Sequence, residues 1–471
     1  MRLTFEISPP RGYNGSKQTG RCDMKGNDRF LKTVCSLAIP VALQSMLQSS
    51  FSMVDQIMIG QLGEVSVAGV GLAGKFASIY SVVISAIGAV AGIMISQYIG
   101  QKNRAEVRRS FFVNLLLGVG IAGLFTALCT LLPYDIMRLY TRDEQTRQAA
   151  AGYLIRIAAT FLPMTGATLL STAYRCAERP RLPLYASIFS ALLNTGLNDI
   201  LIFGRLGFAP LGITGAAIAT VISQWANFLL MLVMAPKNLT VLRAEDRGGS
   251  GLTRLNWRQY WGMLLPLLVC EVLWSLGENV YAAIYGHMSI DASAAMTLIN
   301  PIQGLVIGAL CGLAQAASVL VGKRLGSEDY EGAYWASQRL LVYGAVGAAV
   351  LSVAVIVTSG FYVEIYQVER TVKVMTQQIL IAYALVAPFK VLNMILGGGI
   401  LRSGGRTKYV MFIDIIGTWL FGIPLGLVGA FVFKFAIPYV YFLLSLEECI
   451  RFAISLAVFH RRRWMHRLEG T

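Results

Sequence analysis

Charged residues and histidines are scarce in this chain of 471 residues. Asp, Glu, Lys and Arg make up 14% of it, against roughly 25% in an average soluble domain, and there are three histidines. The seven cysteines are widely scattered and lack CxxC spacing, so neither a disulfide framework nor a zinc site is indicated. We therefore expect neither an ordinary soluble protein nor an enzyme, and no metal or organic cofactor.

Apolar residues are abundant, at 55% of the chain, and the mean hydropathy is +0.60. Runs of about 20 apolar residues, the length that crosses a bilayer as a helix, recur along the whole sequence. This pattern predicts an all-α integral membrane protein with twelve transmembrane helices. The predicted spans are 34–60, 68–97, 111–132, 150–173, 184–203, 211–235, 261–286, 294–321, 338–360, 375–401, 409–430 and 436–459.

The distribution of positive charge predicts the orientation of these spans. The chain has 40 Lys and Arg against 25 Asp and Glu, a net charge of +15. Of the 40, 29 lie in the two termini and in every second connection, whereas the other connections hold seven. Because cytoplasmic segments retain Lys and Arg, both termini of this multi-pass protein are predicted to lie on the cytoplasmic side of the plasma or inner membrane. The positive charge then requires no nucleic-acid partner.

An internal repeat divides the chain into two halves of six helices each. A shift of 226 residues superimposes Pro40 on Pro266 and Gly100 on Gly326, and a shift of 227 later superimposes Arg175 on Arg402. The predicted segments are an N-terminal tail (1–33), an N-lobe (34–235), a cytoplasmic linker (236–260), a C-lobe (261–459) and a C-terminal tail (460–471).

Two such lobes of equal orientation are typical of transporters that bind a substrate between them and expose it to each side in turn.

Polar groups within the N-lobe spans are candidates for a coupling site. Asp55 lies about five residues before the outer end of the first span, and Asn194, Asn198 and Asp199 lie in the outer half of the fifth. A carboxylate at that depth needs a proton, a cation or a partner, so the depth predicts that the two sets meet. The alternatives are an Asp55 side chain that reaches the interface and asparagines that make an ordinary polar contact between helices.

The second lobe has its own buried charges. Glu271 and Glu278 are seven residues apart on one side of the seventh span, and Lys390 lies at mid-depth in the tenth. They are coupling or substrate residues, or Lys390 forms a structural ion pair with one of the two glutamates.

Together these features resemble the multidrug and toxic compound extrusion (MATE) family over roughly residues 30–460. The strongest matches are ValAspGlnIleMetIleGlyGlnLeuGly (54–63), SerGlnTyrIleGlyGlnLysAsn (96–103), GlyIleThrGlyAlaAlaIleAlaThr (212–220) and LeuArgSerGlyGly (401–405). The resemblance implies a two-lobed antiporter that exports organic cations and other amphipathic compounds as protons or sodium flow inward.

The resemblance also assigns site residues. Asp55 matches the acid of the family's first helix, and Asn194 matches the first position of an Asn-x-x-x-Asp pattern whose second position is Asn198 here. Thr220 lies at the place of a helix 6 threonine. Glu271 resembles the acid of helix 7, displaced by about one turn.

We therefore expect a monomeric antiporter whose partners are small-molecule substrates and the lipid bilayer. The alternative is a flippase for lipid-linked saccharides, which shares the architecture but needs several Arg or Lys side chains for pyrophosphate. The clearest mid-depth cation here is Lys390 alone.

Overall fold

The computed structural model describes residues 24–235, 256–366 and 368–469, and within these ranges the chain forms helices joined by short loops. The first half comprises α1 (Met24–Gly60), α2 (Glu64–Gly100), α3 (Arg104–Leu131), α4 (Pro133–Arg138), α5 (Glu144–Ile157), α6 (Phe161–Cys176), α7 (Arg181–Phe203) and α8 (Ile213–Val233). The second half comprises α9 (Trp257–Met288), α10 (Ile290–Gly326), α11 (Tyr330–Glu364), α12 (Arg370–Asn393), α13 (Lys408–Asp414), α14 (Ile423–Leu427) and α15 (Ile437–His460).

The prediction of an all-α membrane protein is confirmed. Eleven of the described helical segments are long and apolar enough to cross a bilayer, with α5 and α6 acting as one segment across a 3-10 turn. The twelfth predicted span is also helical, as α15, but it carries Glu447, Glu448 and Arg451. Of the predicted linker, residues 236–255 lie outside the described residues, as do residues 1–23 of the N-terminal tail.

The internal repeat is visible in the helix boundaries. Adding 226 to the bounds of α2 gives those of α10, and the same shift relates the first residues of α3 and α11 and of α5 and α12. A shift of 227 relates the starts of α7 and α13. The two lobes differ mainly in three π-helical segments of the second half, which are Met394–Leu401, Ile415–Gly422 and Val428–Val432.

One contact between the lobes is a symmetric crossing of α2 and α10, and α1 also packs on α10, where a Cβ at Gly312 would overlap the Ala38 carbonyl. The Cα of Gly326 faces the Gln97 carbonyl so closely that a Cβ would overlap it, and Gly100 faces the Lys323 carbonyl in the same way. The repeat relates Gly100 to Gly326 and Gln97 to Lys323, so each contact is the counterpart of the other. Glycine is required at both positions because no side chain fits between the backbones.

The C-terminal tail, residues 461–469, strengthens this contact. We call the end of the bundle where it lies the tail end. Trp464 and Leu468 are buried there, at 0% and 2% exposure. Gln97 of α2 donates from Nε2 to the carbonyls of Ser403, at 2.7 Å, and His466, at 3.1 Å, and its Oε1 accepts from the Leu468 amide at 2.7 Å. One side chain of the N-lobe therefore holds both the α12–α13 loop and the tail.

The apolar core follows the same division. One buried cluster runs through both lobes, from Ile59 and Met137 at the far end of the N-lobe to Trp464 at the tail end. A second cluster belongs to the C-lobe alone and includes Tyr281 and Tyr383. The shared cluster thus continues across the contact between the lobes, and the C-lobe has a separate core near its own polar residues.

Candidate ion and substrate sites

Four of the predicted N-lobe residues form a chain of hydrogen bonds across three helices. Asp55 Oδ1 on α1 accepts from Asn198 Nδ2 on α7 at 2.6 Å. The same amide group lies 3.3 Å from Asn194 Oδ1, and Asn194 Nδ2 lies 3.5 Å from Thr220 Oγ1 on α8. The asparagines meet because residues four apart share a helix face.

A cavity of about 240 Å³ opens beside this chain. Its described lining consists of amides, hydroxyls and apolar groups, and Asp55 is the one ionisable residue among them. Asn198 is buried behind the lining at 1% exposure, whereas Asn227 lines the cavity, and Oδ1 of each amide has no hydrogen-bond partner among the described residues. The cavity thus combines the Asp55 carboxylate, which has no cationic partner there, with the unused amide oxygen of Asn227, and this combination favours a proton or a cation.

Asp199 lies outside this cluster. Its carboxylate pairs with Arg205 Nη1 at 3.0 Å, and the two side chains are 37% and 65% exposed, respectively. One residue along a helix is a rotation of about 100°, so Asp199 points away from the face that carries Asn198. The structure therefore does not bring Asp199 to the other predicted coupling residues.

The C-lobe contains a second cavity, of about 320 Å³, enclosed by α9, α10, α12 and α15. Glu278 and Lys390, two of the candidate residues of the second lobe, line it together with Glu447 and Glu448. No described carboxylate lies within 4.0 Å of the Lys390 ammonium; its charge interacts first with Glu448 and then with Glu278. Tyr281 and other tyrosines line the same space. Lys390 is thus shared among several acids.

Glu271 is separate from that cavity. Its Oε1 lies 3.3 Å from Nη1 of Arg402, and Nη2 of the same guanidinium lies 3.6 Å from Cys270 Sγ. The predicted alternative of a Lys390–Glu271 pair is therefore wrong. The physical reason is depth: Glu271 lies two helical turns, or about 10 Å, nearer the tail end than Glu278.

A network of buried charges between α13 and α15 was not predicted from the sequence. Arg451 forms an ion pair with Asp414 and lies 3.6 Å from Glu448 Oε1 and 4.0 Å from Glu447 Oε1. Tyr281 donates a hydrogen bond to Glu447 Oε2 at 2.6 Å. Three acids share this one guanidinium, so Arg451 compensates one of their three negative charges.

The π-helical segment before α14 makes room for this network. A Cβ at Gly417 would collide with the aliphatic part of Arg451, and one at Gly422 would lie 2.6 Å from Glu447 Oε2. π-Helical turns are often found at functional sites. Here the segment lets two glycines approach the charged side chains of α15.

The repeat would have revealed these residues. Shifts of 226 and 227 convert the N-lobe cavity residues into members of the C-lobe network. The related positions are Asp55 and Tyr281, Thr220 and Glu447, Gln44 and Cys270, and Ser187 and Asp414. Even the contacts correspond: Gln44 donates to Ser187 Oγ at 2.8 Å, and Cys270 donates to Asp414 Oδ2 at 2.5 Å. Both lobes therefore carry a polar site at the same place in the fold.

The MatE family model matches residues 40–200 and 266–428, one segment in each lobe. The chain belongs to the MatE family. Among its relatives, the "Probable multidrug resistance protein NorM" of Thermotoga maritima is 24% identical over 448 residues, with 93% of each chain covered. Human "Multidrug and toxin extrusion protein 1" is 26% identical over 407 residues, which cover 84% of this chain and 69% of the human protein.

Solved structures of MatE relatives share the fold. The Vibrio cholerae MATE transporter VcmN superimposes with a TM-score of 0.84 at 16% identity, covering 93% of this chain and 98% of its own. A MOP superfamily transporter from Pyrococcus furiosus gives 0.83 at 16% identity, with 92% and 96% covered. At such identities the likeness establishes the twelve-helix, two-lobed architecture and leaves the site chemistry to the residues of this chain.

Proposed function

We propose that this MatE family protein is a secondary active antiporter that exports organic cations or other amphipathic small molecules in exchange for protons, by alternating access. The observation that carries the proposal is the bond between Asp55 and Asn198 beside a cavity with no other described ionisable residue. Relatives are named for multidrug resistance or extrusion, which supports an export function.

Asp55 links the two fluxes because one carboxylate serves both. A proton neutralises it and removes its attraction for a cationic substrate, while a bound cation disfavours protonation, so the two ligands compete. Protonation also weakens the charge-assisted hydrogen bond from Asn198 Nδ2, which joins α1 to α7. The contact between these helices is therefore expected to loosen with each proton that binds.

Protons are favoured over sodium by the groups that face Asp55. Sodium, a hard cation, would need several oxygen ligands, whereas the nearest partner of the carboxylate is the donor nitrogen of Asn198. Rotation of that amide would bring its unpartnered Oδ1 towards Asp55, and the test below therefore includes a sodium gradient.

The C-lobe cavity is proposed as a second site for cationic substrates. Arg451 and Asp414 neutralise each other, which leaves Glu278, Glu447 and Glu448 against Lys390 and hence an excess of negative charge. Glu278 and Lys390 remain our candidates for substrate contact.

Glu271 is coupled to Arg402 instead, so any role in coupling would act through that pair.

The remaining expectations extend the proposal. The protein acts as a monomer in the plasma or inner membrane, binds no cofactor or nucleic acid, and has its tail end in the cytoplasm. The flippase alternative gains no support, because the described linings of the two lobe cavities contain one basic residue, Lys390.

The decisive experiment uses proteoliposomes and a fluorescent organic cation. We expect an imposed pH gradient, and not a sodium gradient, to drive its accumulation by the wild type. Asp55→Asn should abolish accumulation, whereas Asp199→Asn, which removes the same charge from the same membrane region but outside the cavity, should retain it. Equal activity of both variants would show that Asp55 takes no part in the mechanism. Accumulation driven by the sodium gradient would show that sodium, and not the proton, is the coupling ion.

Orientation is tested separately. A cysteine introduced at position 250, in a background without native cysteines, should resist membrane-impermeant labels added to intact cells. Efficient labelling would reverse the proposed topology.

A further inference from the structure

A groove of about 610 Å³ lies at the tail end, outside both lobe cavities. One wall is the start of α9, another is the start of α13 with the loop before it, and the third is the C-terminal tail. We propose that this groove binds an anionic phospholipid of the adjoining leaflet, with the headgroup phosphate among Arg258, Arg406 and Lys408. This assignment uses the proposed cytoplasmic orientation only to name the leaflet; the binding itself does not depend on transport.

The charges around the groove select an anion. Arg258, Arg406 and Lys408 are all exposed, and none of the ion pairs within the described ranges involves them. Glu469 is the one acid among the lining residues. Burial, and then the nearby Arg406 guanidinium, lower the pKa of His466, so this side chain is neutral at pH 7. The positive charge of the groove therefore comes from Arg258, Arg406 and Lys408. Basic pockets between transmembrane helices are typical headgroup sites.

The rest of the groove selects a lipid rather than free phosphate. Below the cations the wall is mainly apolar and includes Met263, Leu468 and the 55% exposed ring of Phe412. Trp257 and Trp261 on α9 are also exposed, at 46% and 40%. Exposed tryptophans mark the level of lipid headgroups, so the groove lies where a phospholipid can enter from the bilayer.

A lipid in this groove would also act on the contact between the lobes. Leu468 forms part of the groove wall, while its backbone amide and carbonyl bond to Gln97 and Gln101 of the N-lobe. A phospholipid that contacts α9, α13 and the tail at once therefore stabilises the tail in its bound position, and with it the closed tail end.

The test measures lipid binding by native mass spectrometry of the full-length protein. Purified protein is titrated with phosphatidylglycerol and with phosphatidylcholine of the same acyl chains. The wild type should bind phosphatidylglycerol preferentially. The double variant Arg406→Gln/Lys408→Gln should lose affinity for it by roughly fivefold per charge removed, because each juxtamembrane cation contributes on that scale.

The matched control is Lys102→Gln/Arg104→Gln, which removes two exposed cations from the α2–α3 connection at the same end of the bundle. It should bind like the wild type. An equal loss of phosphatidylglycerol affinity in both double variants would show that the general surface charge, and not the groove, attracts the lipid. Unchanged affinity in the groove variant would show that the lipid binds elsewhere, and either result overturns the proposal. Glycerol phosphate without acyl chains is the third ligand, and competition by it at lipid-like concentrations would replace the lipid with a soluble anion.

Discussion

Gly326→Ala should open the tail end of the protein. A Cβ at this position overlaps the Gln97 carbonyl oxygen and lies 2.7 and 2.9 Å from the Gln97 carbonyl carbon and Cα. These are backbone atoms of a helix, so no side-chain rotation can relieve the overlap. Overpacking of this kind costs about 1 to 3 kcal/mol, which corresponds to a roughly 5- to 150-fold shift from the closed towards the open arrangement.

The direction of the change in stability distinguishes a steric clash at this contact from the ordinary effect of alanine on helix propensity. In a helix interior, replacing glycine by alanine usually stabilises by about 0.5 to 1 kcal/mol. Gly304 lies on the same helix and has no atom within 4 Å of a Cβ placed there, so Gly304→Ala is a matched control that should leave stability equal or higher. Gly100→Ala, at the repeat-related position, should behave like Gly326→Ala.

The assay is a distance measurement between spin labels at Arg104 and Tyr330. These residues begin α3 and α11 in opposite lobes at the tail end, and the repeat relates them. In proteoliposomes the distance distribution should broaden towards longer values in Gly326→Ala and Gly100→Ala but not in Gly304→Ala. Identical distributions in all three variants would refute the reasoning that the glycine crossing holds the closed state.

Three further perturbations test other parts of the structure. Arg451→Met should destabilise the protein by roughly 3 to 5 kcal/mol because it strands buried acids, and the double variant with Asp414→Leu should recover part of that loss in a thermal melt. Gln97→Leu should broaden the distribution of distances between the same spin labels as Gly326→Ala does, because three hydrogen bonds to the loop and the tail are lost. Unchanged distances would show that the tail does not stabilise the contact between the lobes. Lys390→Met and Glu278→Gln should be non-additive in both stability and transport, and additive losses would show that they do not interact.

The helices and the repeat could be predicted because both follow from patterns within short stretches of the sequence. Apolar runs of span length and Gly or Pro landmarks at constant spacing do not depend on how helices rotate against each other. The chain Asp55–Asn198–Asn194 was predictable for a related reason. The two asparagines share a face by spacing alone, and the depth of Asp55 in its span matches theirs.

The tail could not be predicted in the same way. Four of the nine residues 461–469 are Arg, and the three apolar ones do not form a recognisable run. Trp464 is buried because its ring stacks on Phe459 of α15, and Leu468 is held in place because its amide donates to Gln97 of α2. That environment is produced by two helices more than 100 residues apart in sequence, so no local signal records it.

The polar sites of the two lobes differ in how their acids are compensated, and this difference bears on where ion coupling takes place. In the N-lobe site one acid bonds to a neutral amide, whereas in the C-lobe site three acids share Arg451. A change in the charge of any one of these three acids therefore alters the balance of the whole network. Asp55 has no cationic partner among the described residues, so a change in its charge acts mainly on the hydrogen bond from Asn198 that joins α1 to α7, and this asymmetry favours our proposal that ions are coupled in the N-lobe and that substrate contacts the C-lobe cavity.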